Sequence, residues 1–285
     1  MGSPAHATAT VAAGAAQRAP VPMTEEQKFF FDLRGWLLLP GLLTEPEIDA
    51  MKEEVYGGAQ HGYEGALQNL LDHPAITGIL SEILSERYYW TDECYSFRCE
   101  NSFTTVRHGG WKTTLRGESG RAHVVRPPQR ANATRYQVAG NQIFAGVTRV
   151  VWELEEVRAG RGGTSFLSGS HKAHFDYGSP DPLQPNAFDS PWEAQIDAAM
   201  EDYGCPPGSA VIFTESLLHA ANDWTDTENP RCAVFNCYNS VWAQWHRLNL
   251  NHEIIALMPP KRQSLFRGVW ELGGNRTYSA DNRSV

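Results

Sequence analysis

The chain has 285 residues, a formal net charge of −9, a hydrophobic share of 41% and five cysteines. That length suits one large domain or two small ones, and an acidic balance without a basic stripe excludes nucleic acid as the expected partner. No run approaches the roughly 18 apolar residues of a membrane helix, so no membrane partner is expected. The odd set Cys94, Cys99, Cys205, Cys232 and Cys237, with no CxxC pair, speaks against a zinc finger or disulfide framework and for reduced thiols in the cytoplasm.

Residues 1–22 are small, Ala-rich and bounded by proline. They lack the basic start and apolar segment of a secretory signal and read as a disordered tail, with a single domain over 23–285. In "TEEQKFFFDLRGWLLLPG" Thr24 and Gln27 form a capping pattern, predicting a short helix, a break at Gly35 and a strand. "LLTEPEIDAMKEEVYGG" repeats the device, with Thr44 as cap, Pro46 in the first turn and Gly57 as stop. "EGALQNLLDHPAITGILSEILSE" reads as two amphipathic helices divided near His73–Pro74. Beyond Arg87 aromatic and β-branched residues alternate with polar ones between Gly-, Pro- and Asn-rich joints, the pattern of many short strands in a sandwich or barrel. Helices followed by a β-rich body predict an α+β fold with helices buttressing a sheet. Residues 178–193, "GSPDPLQPNAFDSPWE", read as a lid-like insertion, and the polar residues 259–285 as a loosely held tail.

The stretch "ESLLHAANDWTDTENPRCAVFNCY" (Glu215 to Tyr238) closes one apolar segment with His219 and opens the next, twelve residues on, with Arg231. A histidine so placed can be a packed, hydrogen-bonded core residue. On adjacent strands of a double sheet, however, the imidazole and the guanidinium share one barrel mouth. Imidazole ligates divalent iron, and guanidinium grips a carboxylate bidentately. A metal ligand beside a carboxylate clamp suits an oxoacid cofactor chelating iron.

Three segments carry a resemblance: "FDLRGWLLLPGLLTEPEIDAM", "GVTRVVWELEEVRAGRGGTSFLSGSHKAHF" and "ESLLHAANDWTDTENPR". The sequence resembles the phytanoyl-CoA dioxygenase-like branch of the iron(II)- and 2-oxoglutarate-dependent oxygenases over most of residues 24–240. The resemblance implies a double-stranded β-helix (jelly-roll, cupin-like) core buttressed by the N-terminal helices. It also implies that His219 is the distal iron ligand, that Arg231 holds the far carboxylate of 2-oxoglutarate, and that His171 in "GSHK" belongs to a structural turn without a metal role. Iron(II), 2-oxoglutarate, dioxygen and a small-molecule substrate are the implied cofactors and partners. The implied activity is oxidation, hydroxylation first, coupled to decarboxylation of 2-oxoglutarate to succinate.

Such enzymes place their first histidine and carboxylate two residues apart. Three stretches compete here. His123 has the position that the resemblance favours, but Val125 stands in the carboxylate slot. His108 is the alternative first ligand, with Gly110 in that slot. His174 to Asp176 is the literal His-x-Asp, yet it follows the "GSHK" turn, and short motifs match by chance. Where the carboxylate is missing, a halide can fill the open position, as in the family's halogenases, which carry Gly or Ala there. Alternatively Glu100, Glu118 or water completes the set, or iron is lost and a jelly-roll binding protein remains. Trp152, on a predicted barrel strand, reads as lining the cofactor pocket, with a core position as the competing reading. Tyr136 and Gln137 read as ordinary strand residues or hydrogen-bonding pocket residues. Arg126, Arg130 and Arg135 read as attracting an acidic substrate or as solvating a loop. "AGRGGTSF" lacks the spacing of a dinucleotide loop.

Overall fold

A computed structural model describes residues 19–85, 93–113, 124–125, 134–173, 193–247 and 250–269. The first helix, α1 (Glu25–Arg34), starts where the sequence says it should. The Thr24 hydroxyl accepts from the Gln27 backbone N–H at 3.1 Å, and the Gln27 side chain accepts from the Thr24 N–H at 2.9 Å. Gly35 ends the helix at φ 85°, and a Cβ there would fall 2.6 Å from His171 Nδ1, so both backbone and space require glycine. After β1 (Trp36–Leu39), Thr44 and Glu47 close a second capping box at the head of α2 (Glu45–Tyr56). Of the two helices expected next, the first is a 3-10 turn, Gly65–Leu70. The second, α3 (Pro74–Leu84), is enclosed on nearly every side, with Ile76, Ile79, Leu80 and Ile83 at most 1% exposed.

The strands that follow are β2 (Phe97–Arg107), β3 (Val124–Val125), β4 (Gln137–Ala139), β5 (Gln142–Phe144), β6 (Thr148–Glu153) and β7 (Gly163–Phe166). Then come α4 (Glu193–Ala199), β8 (Ser209–Thr214), β9 (His219–Asn222), β10 (Arg231–Ser240), α5 (His252–Ala256) and α6 (Pro260–Gln263). Five of the strands form an antiparallel sheet in the order β1-β8-β6-β10-β2. A smaller antiparallel sheet has the order β3-β9-β7, and β4-β5 is a hairpin. The two faces of the large sheet bury different partners. One carries Leu37, Val150, Trp152, Ile212 and Val234 against the helical layer. The other carries Trp36, Val151, Val211, Phe213, Ala233 and Phe235 against Phe166 of β7 and Tyr203. The result is the α+β fold with a jelly-roll core: helices on one face, the small sheet on the other. Each large side chain buried in these layers contributes about 1.5–3 kcal/mol.

The two ends of the chain depart from the reading of the sequence. Val21, assigned to a disordered tail, donates its N–H to the Pro74 carbonyl at the head of α3 at 2.9 Å. The segment from 259 to 269, taken as a loose tail, is part of the core. Leu265 and Phe266 are 0% and 3% exposed, Ser264 Oγ accepts from Tyr95 N at 3.0 Å, and the Arg267 carbonyl accepts from Arg98 Nε at 2.7 Å. Two apolar residues in a polar segment are enough to anchor it when a groove awaits them. Residues 270–285, and residues 174–192 that hold most of the expected insertion, lie outside the described residues.

Candidate active site

Arg231 opens β10 with its side chain wholly buried between the two sheets. Its cross-strand partner on β2 is Arg107, and directly paired residues share a sheet face. From the other neighbouring strand, β6, Glu153 grips Arg231: Nε lies 3.2 and 3.1 Å from the two carboxylate oxygens and Nη2 lies 2.5 Å from Oε1. Tyr203 donates its hydroxyl to Glu153 at 2.6 Å and stands 3.2 Å from Arg231 Nη2, and Thr164 Oγ1 stands at 3.5 Å. Burial alone would lower the Arg231 pKa, but Glu153 and Tyr203 outweigh it and raise it. Burial, and next the Arg231 charge, push Arg107 down to about 10; its guanidinium lies 4.0 Å over the Trp111 ring.

Two guanidinium groups thus face one carboxylate. Arg231 Nη1 and Arg107 Nε and Nη1 are buried with no hydrogen-bond partner among the described residues. A buried unpaired donor is costly, and three of them beside an uncompensated positive charge fit an incoming carboxylate. On this count the residues fit the far end of a diacid.

His219 heads β9 and lies opposite Phe166 on one side and Val125 on the other. Its Nδ1 lies 2.8 Å from the Leu217 carbonyl. A carbonyl only accepts, so Nδ1 carries a proton, and Nε2 is the ring nitrogen left to meet an ion. Glu215, at the end of β8, is 5% exposed; its Oε2 lies 3.5 Å from His219 Nε2 and its Oε1 2.5 Å from Arg149 Nε. Burial would raise the Glu215 pKa, but Arg149 and then His219 hold it below the ordinary value. An imidazole nitrogen beside an ionised, oriented carboxylate fits a divalent ion.

A line of rings joins the two ends. His219 lies 5.0 Å from Phe213, Phe213 lies 5.0 Å from Phe166, Phe166 lies 6.2 Å from Tyr203, and Tyr203 meets Arg231. His219 and Arg231 therefore share the same interior.

The other candidates divide. His123 and His174 to Asp176 lie outside the described residues, as do Glu118, Arg126 and Arg130. The β3 register nevertheless sets position 125, the carboxylate slot of the His123 reading, directly opposite His219. His108 does not meet His219. It is exposed, in a turn where its carbonyl accepts from Trp111 N at 2.9 Å, and Trp111 bridges to Trp224. Five residues of extended chain separate Trp224 from His219, roughly 15 Å. Trp152, read as lining the cofactor pocket, faces the helical layer with its ring 5.2 Å from His73; its neighbour Glu153 faces the interior instead. Tyr136 donates to Asp32 at 2.7 Å, and Gln137 and Arg135 are exposed. Glu100 is satisfied elsewhere, accepting from Trp245 N at 3.1 Å and lying 3.1 Å from His246 Nδ1. His171 has its Nε2 3.0 Å from the Asp32 carbonyl, tying its turn to α1. A cavity of about 220 Å³ along β2, lined by His61, Tyr63, Glu100 and Phe103 among others, includes neither His219 nor Arg231.

Five interior residues were not singled out as site residues from the sequence: Arg107, Arg149, Glu153, Tyr203 and Glu215. Glu215 alone carried a local signal, one helical turn's count before His219. The others reach the interior through strand pairing or a long connection.

Residues 63–231 match the family described as phytanoyl-CoA dioxygenase (PhyH). No curated protein matches the chain. Among solved structures, apo HygX from Streptomyces hygroscopicus is 15% identical with a TM-score of 0.60, covering 82% of this chain and 94% of that one. HygX with nickel and 2-oxoglutarate bound is 16% identical with a TM-score of 0.59, covering 81% and 93%. The 2-oxoglutarate-dependent carbocyclase SnoK from nogalamycin biosynthesis is 16% identical with a TM-score of 0.53, covering 85% and 95%. At these identities the structural likeness speaks for the fold, whereas the family match spans more than half of the chain. The chain belongs to the phytanoyl-CoA dioxygenase (PhyH) family, a non-haem oxygenase of the iron(II)- and 2-oxoglutarate-dependent kind.

Proposed function

We propose that the protein oxidises a small molecule, by hydroxylation or a closely related C–H oxidation, using iron held by His219 Nε2 and His123. In this reading 2-oxoglutarate lies along the interior with its far carboxylate on Arg231 and Arg107. The observation that carries it is the pairing, in one buried interior, of an imidazole nitrogen turned away from the backbone carbonyl that holds the ring and guanidinium donors without acceptors. When bound, iron and the keto acid supply the oxidising power, with dioxygen as co-substrate and succinate as by-product. The chain supplies geometry. The Leu217 carbonyl fixes the His219 tautomer, Arg231 and Arg107 set the direction of the diacid, and Phe213, Phe166, Val151 and Val211 keep water from the reacting end.

A substrate of natural-product size suits the fold: a HygX structure holds hygromycin B, and SnoK and SnoN are a carbocyclase and an epimerase. Those two names also show that this architecture hosts oxidations other than hydroxylation. Five buried cysteines, none in a disulfide, suit the reducing cytoplasm.

The test is anaerobic. Full-length protein with iron(II) and 2-oxoglutarate is expected to develop the weak charge-transfer band near about 500 nm that a chelated keto acid gives. His219→Ala is to abolish it, and Arg231→Ala is to raise the 2-oxoglutarate concentration needed at least tenfold. A parent protein without the band leaves a jelly-roll binding protein and ends the oxygenase reading.

A further inference from the structure

We infer that Phe103 and Arg149 form the substrate subsite, and that it takes an uncharged, ring-bearing molecule with a carbonyl or hydroxyl oxygen beside the ring; this rests on the function proposed above. The inference starts from a second wall of the interior. Arg231 Cζ lies 5.4 Å over the Phe235 ring, Phe235 stacks on Phe103 at 4.6 Å with 7° between the planes, and Arg149 Cζ lies 5.6 Å over Phe103. Arg149 Nε then meets Glu215 Oε1 at 2.5 Å, and Glu215 Oε2 stands 3.5 Å from His219 Nε2. Strand register produces this alignment. Phe235 is the direct partner of Phe103 on β2, and Cys237, two residues on, is the partner of Arg149 on β6, so all four point to one face. Together with the line of rings from His219 to Tyr203, these contacts close a circuit around the interior.

A single exposed phenylalanine is ordinary, but this one belongs to a buried circuit. Phe103 is 38% exposed, whereas the side chains of Arg149 and His219 are 12% and 13% exposed and the remaining members are buried. Among the described residues, the circuit therefore opens to solvent at Phe103. Beside that ring, Arg149 Nη1 is buried with no hydrogen-bond partner among the described residues, which is costly until an acceptor arrives. Glu215 already offsets the Arg149 charge, so a second carboxylate here would set two anions side by side. A carbonyl or hydroxyl oxygen satisfies the N–H without adding charge. Arg231 and Arg107 differ, with two guanidiniums to one carboxylate, which directs the diacid to their end and leaves this end to the substrate. Phe103 supplies a flat apolar face next to the donor, suited to a ring. It also lines the cavity of about 220 Å³ along β2, which gives the outer part of a substrate space beyond the ring.

The probes are acetophenone, ethylbenzene and benzoate, which share a ring and differ in the group beside it. Each is titrated into the full chain loaded with zinc(II) and 2-oxoglutarate, with binding read by saturation-transfer NMR. Acetophenone is expected to bind about tenfold more tightly than ethylbenzene, the worth of one hydrogen bond from a charged donor, and benzoate more weakly than either. Arg149→Lys keeps a cation against Glu215 but has no second arm to reach where Nη1 stands, and should bring acetophenone to the level of ethylbenzene. Phe103→Ala should weaken both alike, by about fivefold. An Arg149→Lys variant that keeps the preference for ketone over hydrocarbon overturns the Arg149 assignment, since a merely structural role leaves that ratio unmoved. Benzoate as the tightest probe overturns the neutral-oxygen reading in favour of an acidic substrate. A parent that forms the iron–2-oxoglutarate band yet binds no probe saturably overturns the subsite and leaves the proposed function intact, whereas a parent without the band overturns both. Should Arg149→Lys not fold, diffraction from parent crystals soaked in acetophenone decides: a carbonyl oxygen within about 3.2 Å of Arg149 Nη1 is expected, and one beyond about 4 Å overturns the assignment.

Discussion

Replacing Arg107 by methionine removes a buried cation that no carboxylate pairs with among the described residues. Its pKa falls to about 10, first through burial and next through the neighbouring Arg231 charge. The sign follows directly. A base with a lowered folded pKa is charged in both states below pH 10, so at neutral pH the folded state bears the whole cost of the charge. At 1.36 kcal/mol for each pH unit, a fall of that size amounts to about 3 kcal/mol. Methionine forfeits the cation–π contact with Trp111, about 1–2 kcal/mol at a desolvated site. The variant without ligand is therefore expected to be about 1–2 kcal/mol more stable than the parent in urea at pH 7. Its 2-oxoglutarate affinity, by anaerobic calorimetry with cobalt(II), should fall by about 1.5–3 kcal/mol, the worth of a hydrogen bond to a charged group. Stability and ligand binding thus move in opposite directions. A variant destabilised by 2 kcal/mol or more that binds 2-oxoglutarate like the parent would falsify the anion-site reading of Arg107 and make it a structural residue.

Phe266 tests the C-terminal segment. Its ring sits 6.0 Å edge-on from Tyr63 in the main core, so Phe266→Ala should cost about 3–5 kcal/mol in urea unfolding, and a loss under 1 kcal/mol would mean the segment is peripheral. Asp32 provides a pH handle away from the site. Burial raises its pKa, but bonds from Lys172 and Tyr136 outweigh that and leave it below 3.8. A carboxyl with a depressed folded pKa stabilises above its unfolded value and loses that contribution as pH falls through the folded one. Asp32→Asn should then be about 1 kcal/mol less stable than the parent at pH 7, with the two curves converging as acidification protonates Asp32 in the folded state; a gap that stays constant on acidification would show that ionisation is not the cause.

Features set by neighbours in sequence were legible. The Thr24–Gln27 and Thr44–Glu47 boxes close over three residues, and proline and glycine mark where α2 and α3 begin or end. His219 and Arg231 were legible as a pair because only one loop separates their strands. The errors arose where the answer depends on distant chain. β6 is a central strand covered on both faces, with Val150, Val151, Trp152 and Glu153 all buried, so it lacks the polar alternation that would tell its faces apart. Trp152 was therefore assigned to the wrong side, and Glu153 was missed. Arg107 reaches Arg231 only through the β2–β10 register, which no local pattern encodes. Leu265 and Phe266 look like stray apolar residues until the groove under Tyr95 and Tyr63 is formed.

The placement of Glu153 has an electrostatic logic. Arg231 and Arg107 alone would be two adjacent buried cations, and leaving a buried charge unpaired costs about 3–5 kcal/mol. A second carboxylate beside Glu153 would neutralise both, but would also cancel the attraction for an anionic ligand. One carboxylate against two guanidiniums lies between these extremes. The fold stands without ligand, yet keeps one positive charge and three unsatisfied donors for a carboxylate to meet. Arg149 plays the converse part at the other end. Its charge, closest to Glu215 Oε1, keeps that buried acid ionised while Oε2 faces His219 Nε2 at 3.5 Å. Each end of the interior thus carries an arginine–glutamate pair. In one the arginine has donors to spare, and in the other the glutamate turns its second oxygen to His219, so that the anion-seeking end and the imidazole end of the interior are distinct.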